Sequence, residues 1–405
     1  MNPPLKLVRR GLRDTTEILA NELARALPGT DMPAWSELEW RLAMAAAVAH
    51  GISPLLCRFT TWQRPAWRRF LVEQREHVEQ RHERIADLLR RIDAGARAKG
   101  LPLMALKGSA LHALGLYAAG DRPMADIDLL VDDTHADATA DLLASLGYEA
   151  SFSQWKHRVF KPRDTSPVMA LGEHRDTPVN IELHTRIHER LPVGTVDITA
   201  QVRTADATPG IHAYPSLCAL MSHLLLHAAG NICGRSLRLI HLNDIALLAT
   251  RMTPADWQPL WAGETPWWAL PPLRLVARYY RGAVPPSVLD RLERDCPPIL
   301  RAFSRYQTLS SVSCSNLWLN ALPGLEWSRT PREAMRYLRN RLRPTQESVQ
   351  ERKDMLRTQA WLQDQPWVTL GHRRRLLTWL TRPVPRMDTL YVVRKALEHG
   401  APLPG

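Results

Sequence analysis

Apolar residues recur at helical spacing through segment 36–49, and Gly51 and Pro54 follow as stop signals. Pro65 then opens a long charged stretch running to about residue 98. Within it Phe70, Leu71, Val78, Ile85, Leu88, Leu89 and Ile92 mark a single face, which predicts a long amphipathic helix. The pattern changes at Gly100. Residues 101–106 (LPLMAL) form a short apolar run suited to a buried strand, Lys107-Gly108-Ser109 a turn, and 110–116 a helix. A second strand is predicted at 127–131, then a helix at 134–146 with Thr134 as its N-cap and Gly147 at its end. Segments 148–152, 159–161, 168–171 and 179–183 alternate or run apolar over strand lengths. Beyond 215 the pattern returns to helix; Pro and Trp are frequent between 255 and 330, and the last 60 residues are Arg-rich. These elements predict an α+β protein: a small mixed-sheet domain at 99–205, flanked by an N-terminal helical region (1–98) and a C-terminal helical region (206–405).

Composition adds bounds. The 405 residues are 45% hydrophobic, enough for a sizeable core and for two or three domains. A net charge of +12 makes an anionic partner plausible: nucleotide, RNA or an anionic membrane surface. The five cysteines are scattered with no C-x-x-C, which fits a reduced, cytoplasmic protein better than a disulfide framework. No secretory pattern follows Met1, and the hydropathy predicts no transmembrane helix.

The chemistry concentrates in 106–131 and at Glu182. Strand periodicity puts Asp126 and Asp128 on one face, with Ile127, Leu129 and Val131 on the other. Two carboxylates about 6–7 Å apart along a strand repel as bare charges, and a divalent cation between them relieves the repulsion. Hard oxygen ligands suit Mg²⁺ or Mn²⁺. In Asn180-Ile181-Glu182-Leu183-His184 the same alternation offers Glu182 as a third carboxylate, the layout of two-metal phosphoryl transfer. Gly108 lets the backbone approach a phosphate, the Ser109 hydroxyl can donate to it, and Lys107 and Arg122 can offset triphosphate charge. Either short motif alone is weak, and bland alternatives exist for each: a solvated Asp-x-Asp strand, an ordinary turn.

The ordered set resembles the polymerase-beta-like nucleotidyltransferase fold and, more narrowly, the bacterial family of uncharacterised nucleotidyltransferases. The resemblance rests on Leu106-Lys107-Gly108, Arg122, Asp126 through Val131 and Glu182-Leu183-His184. It extends upstream to His50-Gly51-Ile52-Ser53-Pro54-Leu55-Leu56 and downstream to His223, His227, Arg238 and Asp244, covering roughly 36–250. It implies a nucleotidyltransferase domain, an NTP donor and two Mg²⁺ or Mn²⁺ ions held by Asp126, Asp128 and Glu182. In this set Glu182 stands where Asp is commoner.

Secondary candidates are His184, which could orient a carboxylate or act as a base, and His227, Arg238 and Asp244. His223 and His227, four apart, have zinc-binding spacing, but Leu224 stands where H-E-x-x-H needs Glu, so buried, satisfied histidines behind the site are the stronger reading. Arg238 and Asp244 suit a buried ion pair between helices, with Arg238 alternatively reaching the nucleotide. The basic run 371–380, with Trp361, Trp367 and Trp379, could meet RNA or a membrane surface; a solvated helix face is the simpler account. The leading expectation is a metal-dependent enzyme moving an NMP from an NTP to a hydroxyl of a protein, peptide or small-molecule acceptor. The alternative is a binding protein on the same fold, for RNA or a protein partner, and a third reading is a metal hydrolase built on His223 and His227.

Overall fold

The protein was analysed as a computed structural model that describes residues 3–25, 31–58, 62–164, 168, 170–204, 207–344, 346, 349, 350, 353 and 370–399. Trp361 and Trp367 lie outside the described residues. The architecture is α+β: a mixed six-stranded sheet set among helices from both ends of the chain.

Four helices come first: α1 (Leu5–Leu23), α2 (Glu37–Ala49), the short α3 (Ser53–Leu56) and α4 (Pro65–Ala98). Ser36 caps α2 in a reciprocal box with Glu39. The 34-residue α4 buries Phe70, Leu71, Val78, Ile85, Leu88 and Ile92, the face expected from their spacing. The sheet follows with β1 (Pro102–Ala105), α5 (Lys107–Ala113), β2 (Asp126–Leu130), α6 (Ala136–Ser145), β3 (Tyr148–Ser153), β4 (His157–Pro162) and β5 (Asn180–His184). Asp132, rather than Thr134, caps the turn into α6, its side chain accepting from the Thr134 N–H at 3.1 Å. Residues 168, 170 and 171 form no strand. The chain there turns against α4, where the Gln74 amide donates to the Leu171 and Glu173 carbonyls.

Three strands were not anticipated: β6 (His188–Leu191) and β7 (Gly194–Asp197), which form a separate hairpin, and β8 (Gly210–His212). The sheet order is β3-β4-β5-β2-β1-β8, with β5 parallel to β2 and β8 parallel to β1. After the short α7 (Thr199–Val202), helices dominate: α8 (Leu217–Gly234), α9 (Leu239–Arg251), α10 (Leu270–Tyr279), α11 (Pro286–Asp295), α12 (Pro298–Tyr306), α13 (Leu309–Val312), α14 (Pro331–Leu342), α15 (His372–Thr381) and α16 (Met387–Glu398). Among the described residues α8 alone is long and apolar enough to span a membrane, and 72% of it is buried inside the protein.

Two apolar cores flank the sheet. On one face Ile127, Leu129, Ile181 and Leu183 pack with Ile85, Leu88 and Ile92 of α4 and with Leu142 and Leu143 of α6. On the other, Met104 and Leu130 join a larger core that unites α1 and α2 with α8, α9, α10 and α16. Each fully buried aliphatic side chain contributes roughly 1.5–3 kcal/mol. A one-residue slip of β2 or β5 would therefore exchange these residues for carboxylates, so the apolar alternation fixes which face the carboxylates occupy.

Candidate active site

The parallel register of β2 and β5 sets Asp126 opposite Asn180, Asp128 opposite Glu182 and Leu130 opposite His184. Period two then brings Asp126, Asp128, Glu182 and His184 to one face, beneath α8 and α9. The register is held at its entrance by Arg81 of α4, a fully buried arginine. Its Nε donates to the Met124 carbonyl at 3.0 Å and its Nη2 to that of Ala125 at 2.9 Å. Nη1 donates to the Thr177 carbonyl at 2.5 Å and Nη2 to that of Pro178 at 3.3 Å. One guanidinium thus ties together the two segments that lead into β2 and β5.

The carboxylate face carries more negative charge than its neighbours cancel. Lys107 Nζ lies 2.8 Å from Asp128 Oδ1, and His184 Nε2 lies 3.0 Å from the same oxygen and 3.7 Å from Glu182 Oε2. Burial, with the Asp128 and Glu182 carboxylates alongside, pushes the Asp126 carboxyl up to about 7. Burial would raise Asp128 as well, but Lys107 and the His184 hydrogen bond outweigh it and hold that carboxyl well below the usual range. Burial opposes charge on Lys107 and His184, yet the carboxylates prevail and raise both above their ordinary values. Lys107 and His184 therefore both serve Asp128, while Asp126 keeps its proton to near neutrality.

A cleft of about 330 Å³ opens over this face. Its floor is Asp126, Asp128 and Glu182; its sides are Leu106 with the first turn of α5, which takes in Lys107, Gly108 and Ser109 where the sequence predicts a separate turn before a helix at 110–116, the 122–125 segment and residues of α8 and α9. Lys107 takes a left-handed φ of 43°, which costs roughly 1–2 kcal/mol in a residue with a Cβ. Its N–H donates to the Tyr214 hydroxyl at 3.2 Å, and that hydroxyl sits 2.7 Å from His223 Nδ1. Gly108 has no space for a side chain, because a Cβ there would lie 2.5 Å from Arg122 Nη1. Ser109 Oγ forms no hydrogen bond among the described residues.

The opposite wall is a satisfied network. Arg122 clamps Asp244 bidentately, Nε to Oδ1 at 2.8 Å and Nη2 to Oδ2 at 2.7 Å. The Tyr117 hydroxyl donates to Asp244 Oδ1 at 2.7 Å and accepts from the Asn243 amide at 2.7 Å. Asp244 therefore pairs with Arg122 and not with Arg238. Arg238 precedes α9 as its N-cap and Asp244 lies six residues on, so the two point in different directions. Arg238 donates through Nε to the Ala49 carbonyl at 3.0 Å, makes no ion pair among the described residues, and lines the cleft. The His50-Gly51 segment shapes that position. A Cβ at Gly51, whose φ is +68°, would lie 2.5 Å from Arg238 Nη2, and His50 binds the start of α9.

Lys107, Gly108, Ser109, Arg122, Asp126, Asp128, Glu182, His227, Arg238 and Asp244 all line this cleft. His184 and His223 line a smaller recess of about 100 Å³ behind Glu182. His223 and His227 do not share a metal-ligand group among the described residues: His223 pairs with Tyr214, and His227 Nε2 meets the Asn231 amide at 3.1 Å. Sequence reasoning missed Arg81, His157 and Tyr214. Arg81 carried a signal: it interrupts the apolar face of α4, three residues after Val78 and four before Ile85. His157 sits on β4, where nothing in the local pattern marks it.

No curated protein and no solved structure matches the chain. The profile of the family described as uncharacterised nucleotidyltransferase matches residues 36–283, which takes in α2, the whole sheet and α8 to α10. With more than half of its length matched, the chain belongs to the family of uncharacterised nucleotidyltransferases.

Proposed function

We propose that the protein is a metal-dependent nucleotidyltransferase that moves an NMP from an NTP to a hydroxyl of a protein, peptide or small-molecule acceptor, releasing pyrophosphate. The observation that carries this reading is the β2–β5 register, which sets Glu182 beside Asp128 with Asp126 two residues before. The donor set fits divalent cations: three carboxylates share one face, and the burial and carboxylate crowding that push Asp126 up to about 7 are what a cation would offset. Asp126, Asp128 and Glu182 would hold Mg²⁺ or Mn²⁺, which supply neutralisation of the triphosphate and activation of the acceptor hydroxyl.

The chain's own residues do the rest. The N-terminal turn of α5 receives phosphate oxygens at the Gly108 backbone and the Ser109 hydroxyl. Arg238, which feels Glu173 and Asp126 but forms no ion pair among the described residues, supplies a cation to the triphosphate. Arg122 is already neutralised by Asp244 and holds the turn in place from behind Gly108. Lys107, 2.8 Å from Asp128 Oδ1, would offer its ammonium to a phosphate oxygen as well. His184 keeps Asp128 oriented, and His227 closes the cleft from α8. The acceptor oxygen attacks the α-phosphorus, Glu182 takes its proton, and the bond to the pyrophosphate oxygen breaks in line.

The test is label transfer from α-labelled NTPs into a cell extract with Mg²⁺ or Mn²⁺, comparing the protein with its Asp126→Ala/Asp128→Ala variant. Loss of transfer in the variant supports the assignment; equal transfer by both sinks it. Metal-dependent NTP binding measured by calorimetry is expected in parallel. Its absence, together with salt-sensitive RNA binding, would favour a binding protein on this fold.

A further inference from the structure

Beside the carboxylate face, His157, which the nucleotidyl-transfer chemistry does not use, joins Glu182 and His184 in a second group of donors. His157 of β4 and Glu182 and His184 of β5 offer ligand atoms that all lie within 4.8 Å of one another. The antiparallel pairing of β4 with β5 sets His157 directly across from His184 and Val159 across from Glu182. His157 Nδ1 lies 3.3 Å from Glu182 Oε2, and His184 Nε2 lies 3.7 Å from the same oxygen. Ligands at about 2.1 Å in a tetrahedron stand roughly 3.4 Å apart, so these separations are already those of a ligand shell.

The independent observation is His157 itself. Its side chain is only 9% exposed, and its Nδ1 is fully buried with no hydrogen-bond partner. A buried polar nitrogen aimed at a carboxylate without a bond to it requires an explanation. A recess of about 100 Å³ adjoins the three residues, lined also by Lys107, Lys156 and Arg186.

We propose that His157, Glu182 and His184 form a site for a borderline transition-metal cation of the Zn²⁺ class, with one coordination position open to the recess. Two imidazoles and one carboxylate with a free fourth position is the ligand pattern of reactive rather than structural zinc. Imidazole nitrogen favours Zn²⁺ and Co²⁺, whereas Mg²⁺ prefers oxygen ligands and retains its water. Arg186 beside the recess, where Lys156 is paired with Glu189, favours an anionic or oxygen-bearing group as the fourth ligand. The site shares Glu182 with the carboxylate face but needs neither a nucleotide nor Asp126.

The test uses the full chain, stripped with chelator and free of nucleotide. Zn²⁺ and Mg²⁺ are titrated by calorimetry, and Co²⁺ by visible absorption. One Zn²⁺ is expected per chain, bound at least about 100-fold more tightly than Mg²⁺, with a Co²⁺ spectrum of low coordination and nitrogen ligation. His157→Ala and, independently, His157→Gln are expected to weaken Zn²⁺ at least about tenfold with the fold retained by circular dichroism. Asp126→Asn is expected to bind Zn²⁺ as the parent does while losing nucleotide transfer, which separates this site from the reading above. Zn²⁺ affinity unchanged in both His157 variants, lost in Asp126→Asn, or no tighter than Mg²⁺ in the parent would overturn the proposal.

Discussion

The two walls of the cleft treat charge in opposite ways. On the helical wall Arg122 and Asp244 pair one to one, and Tyr117 and Asn243 complete their hydrogen bonds. On the strand wall three carboxylates face Lys107 and His184, both of which turn to Asp128 and leave Asp126 crowded. A balanced network gains nothing by admitting an ion and holds its shape. An unbalanced one is destabilised until something positive arrives. The difference separates residues that position from residues that respond.

The largest effect breaks the comparison at the strand wall. Asp126→Asn is expected to reduce nucleotide transfer roughly a thousandfold or more, the scale of a lost electrostatic stabiliser. In metal-free protein at pH 8 the same change removes a crowded charge and is expected to raise stability by about 1–3 kcal/mol. Activity lost with stability raised is the signature of a responding residue, read by label transfer and urea denaturation. A variant both inactive and less stable would place Asp126 with the structural residues. Asp244→Ala is the converse. It strands the Arg122 charge, which is only 10% exposed, and is expected to cost about 3–5 kcal/mol. Unchanged urea stability would show that Arg122 finds another partner or water.

The strand wall was legible in the sequence, and most of the helical wall was not. Asp126, Asp128 and Glu182 sit in strands whose alternation states their face, and apolar runs on both strands let Glu182 be placed beside the aspartates. Period two carries that information locally. The Arg122–Asp244 pair joins residues 122 apart in sequence, and no local pattern announces a partner at that distance. Arg238 and Asp244 suggested a role as ion-pair residues, yet their partner choice depends on how α9 is rotated over the sheet. The hairpin β6–β7 and the edge strand β8 escaped for a related reason: at four, four and three residues they are too short to show a period.

Arg81 sharpens the comparison because it serves the strand wall without belonging to it. It places four hydrogen bonds on the segments entering β2 and β5, and the carboxylate it pairs with, at 3.6 Å, is Glu173, outside the cleft. Arg81→Met keeps the apolar stem but leaves buried carbonyls unpaired, at an expected cost of about 2–4 kcal/mol. Transfer is expected to fall with it, because the Asp128–Glu182 register loosens. Arg81→Lys, with one point of donation, is expected to recover only part of either. Full activity in Arg81→Met would mean that the apolar packing of Ile127 and Ile181 alone sets the register.

The smallest effect is a slope, and its sign differs between the walls. His50 supports the helical wall: its Nδ1 accepts from the Leu239 N–H at 3.0 Å, so Nε2 carries the proton toward Ser315 Oγ at 2.9 Å. Burial, with Arg238 nearby, holds this imidazole down to about 3, against 6.5 when unfolded. Between those values the unfolded chain binds a proton that the folded chain refuses. The stability contributed by His50 is therefore complete above pH 6.5 and falls by about 1.4 kcal/mol per pH unit as the solution is acidified toward 3. Asp126 runs the other way. Its folded carboxyl keeps a proton up to about 7 while the unfolded one releases it near 3.8, so its contribution is lost as pH rises across that window. In chelator, the two slopes oppose one another between pH 4 and 6.5. His50→Gln is expected to lower the net slope of stability against pH there by about 1.4 kcal/mol per unit, and Asp126→Asn to raise it in the same proportion. Urea denaturation at half-unit intervals reads both. Slopes that shift together, or not at all, would mean that the two walls do not titrate as separate units.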